Sequence, residues 1–181
     1  VILFLHGAGE TGTDNEKHTT VGLGKAVRDN PDRWPFLIVF PQKPTMDLWP
    51  HHLALVESIL TAVDKEFTPD TGKRFITGLS QGGNGTLALA DKLGWKFAAA
   101  AAICGWADPR AASDGLKEIP TWLFHGEVDS TVPVSCTHAV ADWMTNRQVV
   151  HKATYYPETD HNSWDKAYAE ELPAWFLEHA R

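Results

Sequence analysis

The chain has 181 residues, is 43% apolar and 22% charged, and carries a net charge of −7. That length and balance predict one folded domain over residues 1–181 and exclude disorder and collagen-like repeats. The negative charge, with no Lys/Arg cluster, excludes a nucleic-acid partner, and the longest apolar run, Phe97 to Cys104, falls far short of a transmembrane segment.

In chain order, Val1 to Leu5 is a continuous apolar run ended by His6-Gly7-Ala8-Gly9, the pattern of a strand buried on both faces of a parallel sheet. It opens without an initiator Met, so upstream sequence is expected. A weakly helical stretch from about Asn15 to Arg28 is closed by Pro31 and Pro35. Phe36 to Phe40 reads as a second buried strand. An amphipathic helix follows, with Val56, Ile59, Leu60, Val63 and Phe67 on one face. Pro69 to Gly72 is a turn. Phe75 and Ile76 lead a strand into Ser80, and the helix after it is apolar all round at Leu87 to Ala90. Phe97 to Ile103 is read as a strand between Gly94 and Gly105, despite the helical propensity of its alanines. Thr121 to Phe124 is another strand, Ser135 to Asn146 a helix, and Val149 to Tyr156 the last strand. The C-terminal segment has Trp164, Tyr168, Leu172, Trp175 and Phe176 at helical spacing, with Pro173 dividing it. Six strands alternating with helices predict an α/β fold: a parallel sheet with helices on both faces. Cys104 and Cys136 are too few and too far apart for a zinc pattern; they read as free core thiols, with a disulfide as the alternative.

The chemistry centres on Gly78-Leu79-Ser80-Gln81-Gly82, a G-x-S-x-G pattern between strand and helix. Glycines two before and two after the serine permit the close backbone approach of a sharp turn, which exposes the hydroxyl. A serine needs a base, and the base needs an orienter. In an open parallel sheet these come from loops at the C-terminal ends of strands. Two such loops carry Asp129 and Asp160-His161, so Ser80, Asp129 and His161 are the expected nucleophile, acid and base; Asp160 and Glu158 are weaker candidates for the acid. His6 and His125, each followed by glycine at a strand end, read as loop-shaping residues. The oxyanion hole is assigned to the backbone N–H groups of Ala8 and Gln81. No metal or cofactor is called for.

Together, LHGAGE at Leu5–Glu10, GLSQGG at Gly78–Gly83, ICGWADP at Ile103–Pro109, HGEVDSTVPV at His125–Val134 and HNSWDKAY at His161–Tyr168 resemble the α/β-hydrolase serine esterases. Within these they are most similar to the phospholipase/carboxylesterase-like set, with its feruloyl- and acetyl-esterase-like and poly(hydroxybutyrate)-depolymerase-like members. The resemblance runs the whole chain in register. It implies an α/β-hydrolase fold with the first strand between the second and third, and further strands preceding Val1. Asp160 and Asn162 stand where the family often has Gly and Asp around the histidine, and Thr11 stands where it often has Arg.

Lids in this fold commonly follow the strand after the serine helix. The Gly105–Pro120 connection is too short for a helical cap, so no large lid and an open cleft are expected. An open cleft suits short-chain or aromatic acyl esters, including acyl groups carried on a plant polysaccharide or other polymer. Trp49, Trp106 and Trp164 fall at the catalytic edge and are candidate walls for a sugar or phenolic ring. A serine peptidase or acyl-thioesterase using the same residues, and a catalytically silent binding module, are the alternative readings.

Overall fold

Each continuous apolar run enters one parallel sheet, because a strand without polar alternation has to be covered on both faces. In this computed structural model, which describes residues 1–108 and 115–181, the strands are β1 (Ile2–Leu5), β2 (Ile38–Val39), β3 (Phe75–Leu79), β4 (Ala99–Ile103), β5 (Thr121–Gly126) and β6 (His151–Tyr156). They lie in the order β2-β1-β3-β4-β5-β6 with every neighbouring pair parallel. β1 therefore sits between β2 and β3, as the resemblance implied. The helices are α1 (Leu23–Asp29), α2 (Leu53–Phe67), α3 (Gln81–Lys92), α4 (Ser135–Asn146), α5 (Trp164–Ala167) and α6 (Leu172–Glu178).

Strand alternation divides the core in two. Leu3 and Leu5 of β1 pack with Val56 and Leu60 of α2, Leu87 and Leu89 of α3, and Val140 and Met144 of α4. Ile2 and Phe4 point the other way, toward Leu23 of α1, Tyr168, and Leu172 and Phe176 of α6. The Phe75 and Phe176 rings stack at 4.7 Å across that second layer, a contact worth about 1 kcal/mol beyond simple burial. The alanines of β4 are buried and hydrogen-bonded in register between β3 and β5, so sheet pairing overrides their helical propensity.

Two expectations require correction. Phe36 to Phe40 is not a buried strand: only Ile38 and Val39 pair, both half-buried, because β2 lies at the sheet edge with one neighbour. Phe67 ends α2 and is 52% exposed, so the apolar face of that helix stops at Val63. Pro173 does divide the C-terminal segment, falling in the first turn of α6, where a missing N–H costs nothing.

Backbone contact positions the site. A Cβ built on Gly82 would lie 1.8 Å from the Leu5 carbonyl oxygen, and one on Gly78 would lie 2.5 Å from both the Leu5 and Gly82 oxygens. The N-terminal end of α3 thus rests directly on the end of β1. Gly82→Ala should force that contact apart and lower stability by about 3 kcal/mol in urea unfolding. An unchanged midpoint would contradict the close approach.

Candidate active site

β3 ends at Leu79 and α3 begins at Gln81, so Ser80 alone makes the turn, at φ 55° and ψ −118°. A residue with a side chain is strained there and stays only if its surroundings hold it. The Ser80 N–H donates to the Ile103 carbonyl at 2.9 Å, and its own carbonyl accepts from the Asn84 N–H at 3.0 Å. Gln81 is the first residue of α3, so its N–H has no acceptor within the helix. Ala8 likewise opens a short 3-10 turn, Ala8–Glu10. Gly7 brings that turn onto the elbow: a Cβ there would be 3.5 Å from the Ser80 Cβ.

The loops after β5 and β6 deliver the other two groups. His161 Nε2 lies 3.0 Å from Ser80 Oγ, and His161 Nδ1 lies 2.8 Å from Asp129 Oδ2. The three expected residues are therefore brought together in one hydrogen-bonded chain. The Asp129 carboxylate is buried, and Oδ1 accepts from the N–H groups of Thr131 at 2.9 Å and Val132 at 2.8 Å. Such a chain can take a proton from the serine hydroxyl and hold the resulting imidazolium against a fixed anion.

His125 touches this chain as well. It is fully buried, with Nε2 2.9 Å from the Val132 carbonyl and 3.2 Å from Asp129 Oδ2, and Nδ1 2.6 Å from the Thr137 hydroxyl. Burial holds its pKa below the ordinary histidine range, favouring the neutral ring. Its Nε2–H then faces Val132 and the acid. The loop-shaping role read from the His-Gly pair is present, and the contact with Asp129 comes with it; the four-residue spacing to Asp129 was the available signal.

Asp160 does not compete for His161. Its Oδ1 accepts from the Ser130 N–H at 2.8 Å, the Ser130 hydroxyl at 3.0 Å and the His161 N–H at 2.8 Å. This exposed carboxylate pins the Asp129 loop to the His161 loop. The bonds from Ser130 and His161 hold its pKa below the usual carboxylate range.

Cys104, at φ 40°, ends β4 beneath the site, and burial pushes its thiol up to about 12. Sγ of Cys104 forms a group with donor atoms of Asp129 and His161, all within 4.8 Å of one another. A thiol kept protonated is a poor metal ligand, and the other two donors are engaged with each other. Cys104 and Cys136 are both free.

The tryptophans part company. Trp49 is completely buried, its indole N–H donates to the His6 carbonyl at 3.0 Å, and its side chain fills the space left by Gly85. It cannot serve as a substrate wall, which corrects the expectation; the 3-10 turn Trp49–His52 leading into α2 turns the ring inward. Trp106 and Trp164 are half-buried. The Trp106 carbonyl accepts from Asn84 Nδ2 at 2.8 Å, and the Trp164 ring stands edge-on to His161 at 5.5 Å. Of the Gly105–Pro120 connection, on which the absence of a lid was argued, residues 109–114 lie outside the described residues.

A parallel sheet with a serine elbow at the end of its β3, flanked by acid and histidine loops at β5 and β6, defines the α/β-hydrolase fold. The chain belongs to the phospholipase/carboxylesterase family, whose profile matches residues 54–170. Among solved structures it is similar to a thermostable esterase, with 29% identity and a TM-score of 0.90, covering 99% of this chain and 54% of that one. The chain thus spans about half the length of that esterase. It is also similar to Arabidopsis thaliana SOBER1 (20% identity, TM-score 0.73, 98% and 97% covered) and to an S-formylglutathione hydrolase from Staphylococcus aureus (18%, 0.71, 97% and 80%). A sequence comparison with curated proteins gives no match.

Because its folded-state pKa is lowered, Asp160 stabilises the folded loops above the unfolded carboxylate pKa, and that contribution is lost as pH falls through the lower folded value. In an NMR titration its carboxyl midpoint should fall below that of an ordinary Asp, with the Ser130 and His161 amides shifting at the same pH. Asp160→Asn should abolish that coupled shift; amides that titrate independently of Asp160 would contradict the clip.

Proposed function

We propose that this chain is a single catalytic domain hydrolysing carboxylic esters through a covalent acyl-serine. The observation that carries the reading is the continuous Ser80–His161–Asp129 chain, with links of 3.0 and 2.8 Å. Family membership supports the esterase class. Ser80 Oγ attacks the ester carbonyl carbon while its proton passes to His161 Nε2. The new imidazolium is held by Asp129, and the oxygen that becomes negative is received by the Ala8 and Gln81 N–H groups. His161 then gives its proton to the departing alcohol, and water repeats the sequence on the acyl-enzyme. Apart from the hydrolytic water, each step uses groups of this chain, and the reading calls for neither metal nor cofactor.

For substrate we propose short-chain or aromatic acyl esters, free or linked to a polymer such as a plant polysaccharide. Trp106 and Trp164 are the remaining candidate walls, Trp164 standing against the base itself. Thioester and peptide substrates place their carbonyl in the same position and differ only in leaving group, so they serve as comparisons in the test.

Ser80→Ala should remove p-nitrophenyl acetate turnover without shifting the melting temperature; retained turnover would sink the assignment. Asp129→Asn should lower kcat on the order of 10⁴-fold, the scale seen where an orienting carboxylate is lost from such a chain. EDTA should leave the rate unchanged. Across acetyl, butyryl, octanoyl and feruloyl esters, with an acyl-thioester and a peptide anilide alongside, the maximum should fall on a short or feruloyl ester.

A further inference from the structure

The loop that carries Ala8 contains a histidine that the proton chain does not use. His6 closes β1, is fully buried, and makes two hydrogen bonds of opposite kind. Nε2 lies 3.1 Å from the backbone N–H of Lys43, and Nδ1 lies 2.6 Å from the Gly7 carbonyl oxygen. A backbone N–H can only donate, so Nε2 is the bare nitrogen and Nδ1 carries the proton that Gly7 accepts. Burial, reinforced by the charge of Lys43, lowers the ring pKa to about 4 and keeps it neutral.

The consequence lies one atom further along. The peptide joining Gly7 and Ala8 is planar and trans, so its carbonyl and its N–H point in opposite directions. Holding the Gly7 oxygen toward the imidazole turns the Ala8 N–H away from it, on a segment whose Gly7 lies against Ser80. Something has to hold this peptide, because glycine on either side of Ala8 lowers the resistance to a flip. The rest of the loop is anchored around the same point. Trp49 donates to the His6 carbonyl at 3.0 Å, the Thr11 N–H closes onto the Ala8 carbonyl at 3.2 Å, and the Gly12 N–H reaches the Lys43 carbonyl at 3.1 Å. The buried Lys43 ammonium donates to the Thr11 hydroxyl at 2.8 Å and the Thr45 carbonyl at 3.0 Å.

We propose that His6 is a positioning residue for the reaction: its Nδ1–H holds the Gly7 carbonyl and so aims the Ala8 N–H at the oxygen that turns negative when Ser80 attacks. This deepens, and rests on, the esterase reading above.

The two nitrogens can be separated by substitution. An Asn amide reaches the place of Nδ1, and a Gln amide the place of Nε2. His6→Gln should lower kcat for p-nitrophenyl acetate by up to about 100-fold with KM within about threefold, the signature of a donor lost only in the transition state. His6→Asn should restore most of kcat. Equal activity of His6→Gln and wild type would overturn the proposal, as would equal losses in both variants that track their melting temperatures. A measurement on the unsubstituted protein guards against misfolded variants: the His6 ring nitrogens should show Nδ1 protonated and Nε2 bare in NMR spectra at neutral pH, and the reverse tautomer would overturn the role. Labelling of Ser80 by a fluorophosphonate separates the two levels. If the unsubstituted chain is neither labelled nor active, the esterase reading itself fails; if it is both and His6→Gln matches it, only the role of His6 fails.

Discussion

The contact between the first turn of α3 and the end of β1 governs this molecule. With no side chain at Gly82, a helix terminus lies against the carbonyls of Leu5 and His6. That approach puts the first N–H of α3, the serine, and the loop leaving β1 into one small volume. It also explains the strained backbone at Ser80, since the chain must pass from a strand to a helix axis within a single residue. The strain is held by the ladder bond to Ile103 and the first helical bond from Asn84. Packing of the whole sheet thus maintains a local conformation that the serine would not keep by itself.

Polarity around the site is layered. The Asp129 side chain is fully buried and accepts from backbone N–H groups as well as from His161, so the anion has its hydrogen-bond partners without water. His161 is partly open, where a leaving group could receive its proton. Beneath these lie buried groups, His125 under the acid and His6 under the β1 loop, each with its pKa lowered by burial and each bonded to a backbone carbonyl. His125 ties the Asp129 loop to Thr137 of α4, and His6 ties the loop after β1 to Lys43. Asp160 adds a solvent-facing brace between the acid and histidine loops.

Much of this arrangement could be read before the fold was known. Continuous apolar runs require burial on both faces, so the parallel sheet, its flanking helices and the loop ends that carry Ser80, Asp129 and His161 follow from local pattern and chain order. The glycines flanking Ser80 announced the close approach for the same reason: only a missing Cβ admits it.

What tertiary structure alone decided are matters of neighbourhood. Phe36 to Phe40 is apolar enough for a core strand, yet its place at the sheet edge limits it to two paired residues. Trp49 has the loop position of a substrate wall but lies over Gly85 with its N–H on the His6 carbonyl, because burial of a loop side chain depends on what packs above it. Asp129 was preferred to Asp160 on chain order, but what Asp160 does instead was not legible: its carboxylate accepts from the Ser130 and His161 N–H groups, while Asp129 Oδ2 lies 2.8 Å from His161 Nδ1. The sequence by itself determined which residue types stand at which strand ends; only the packed chain determined which way each side chain and each loop peptide faces.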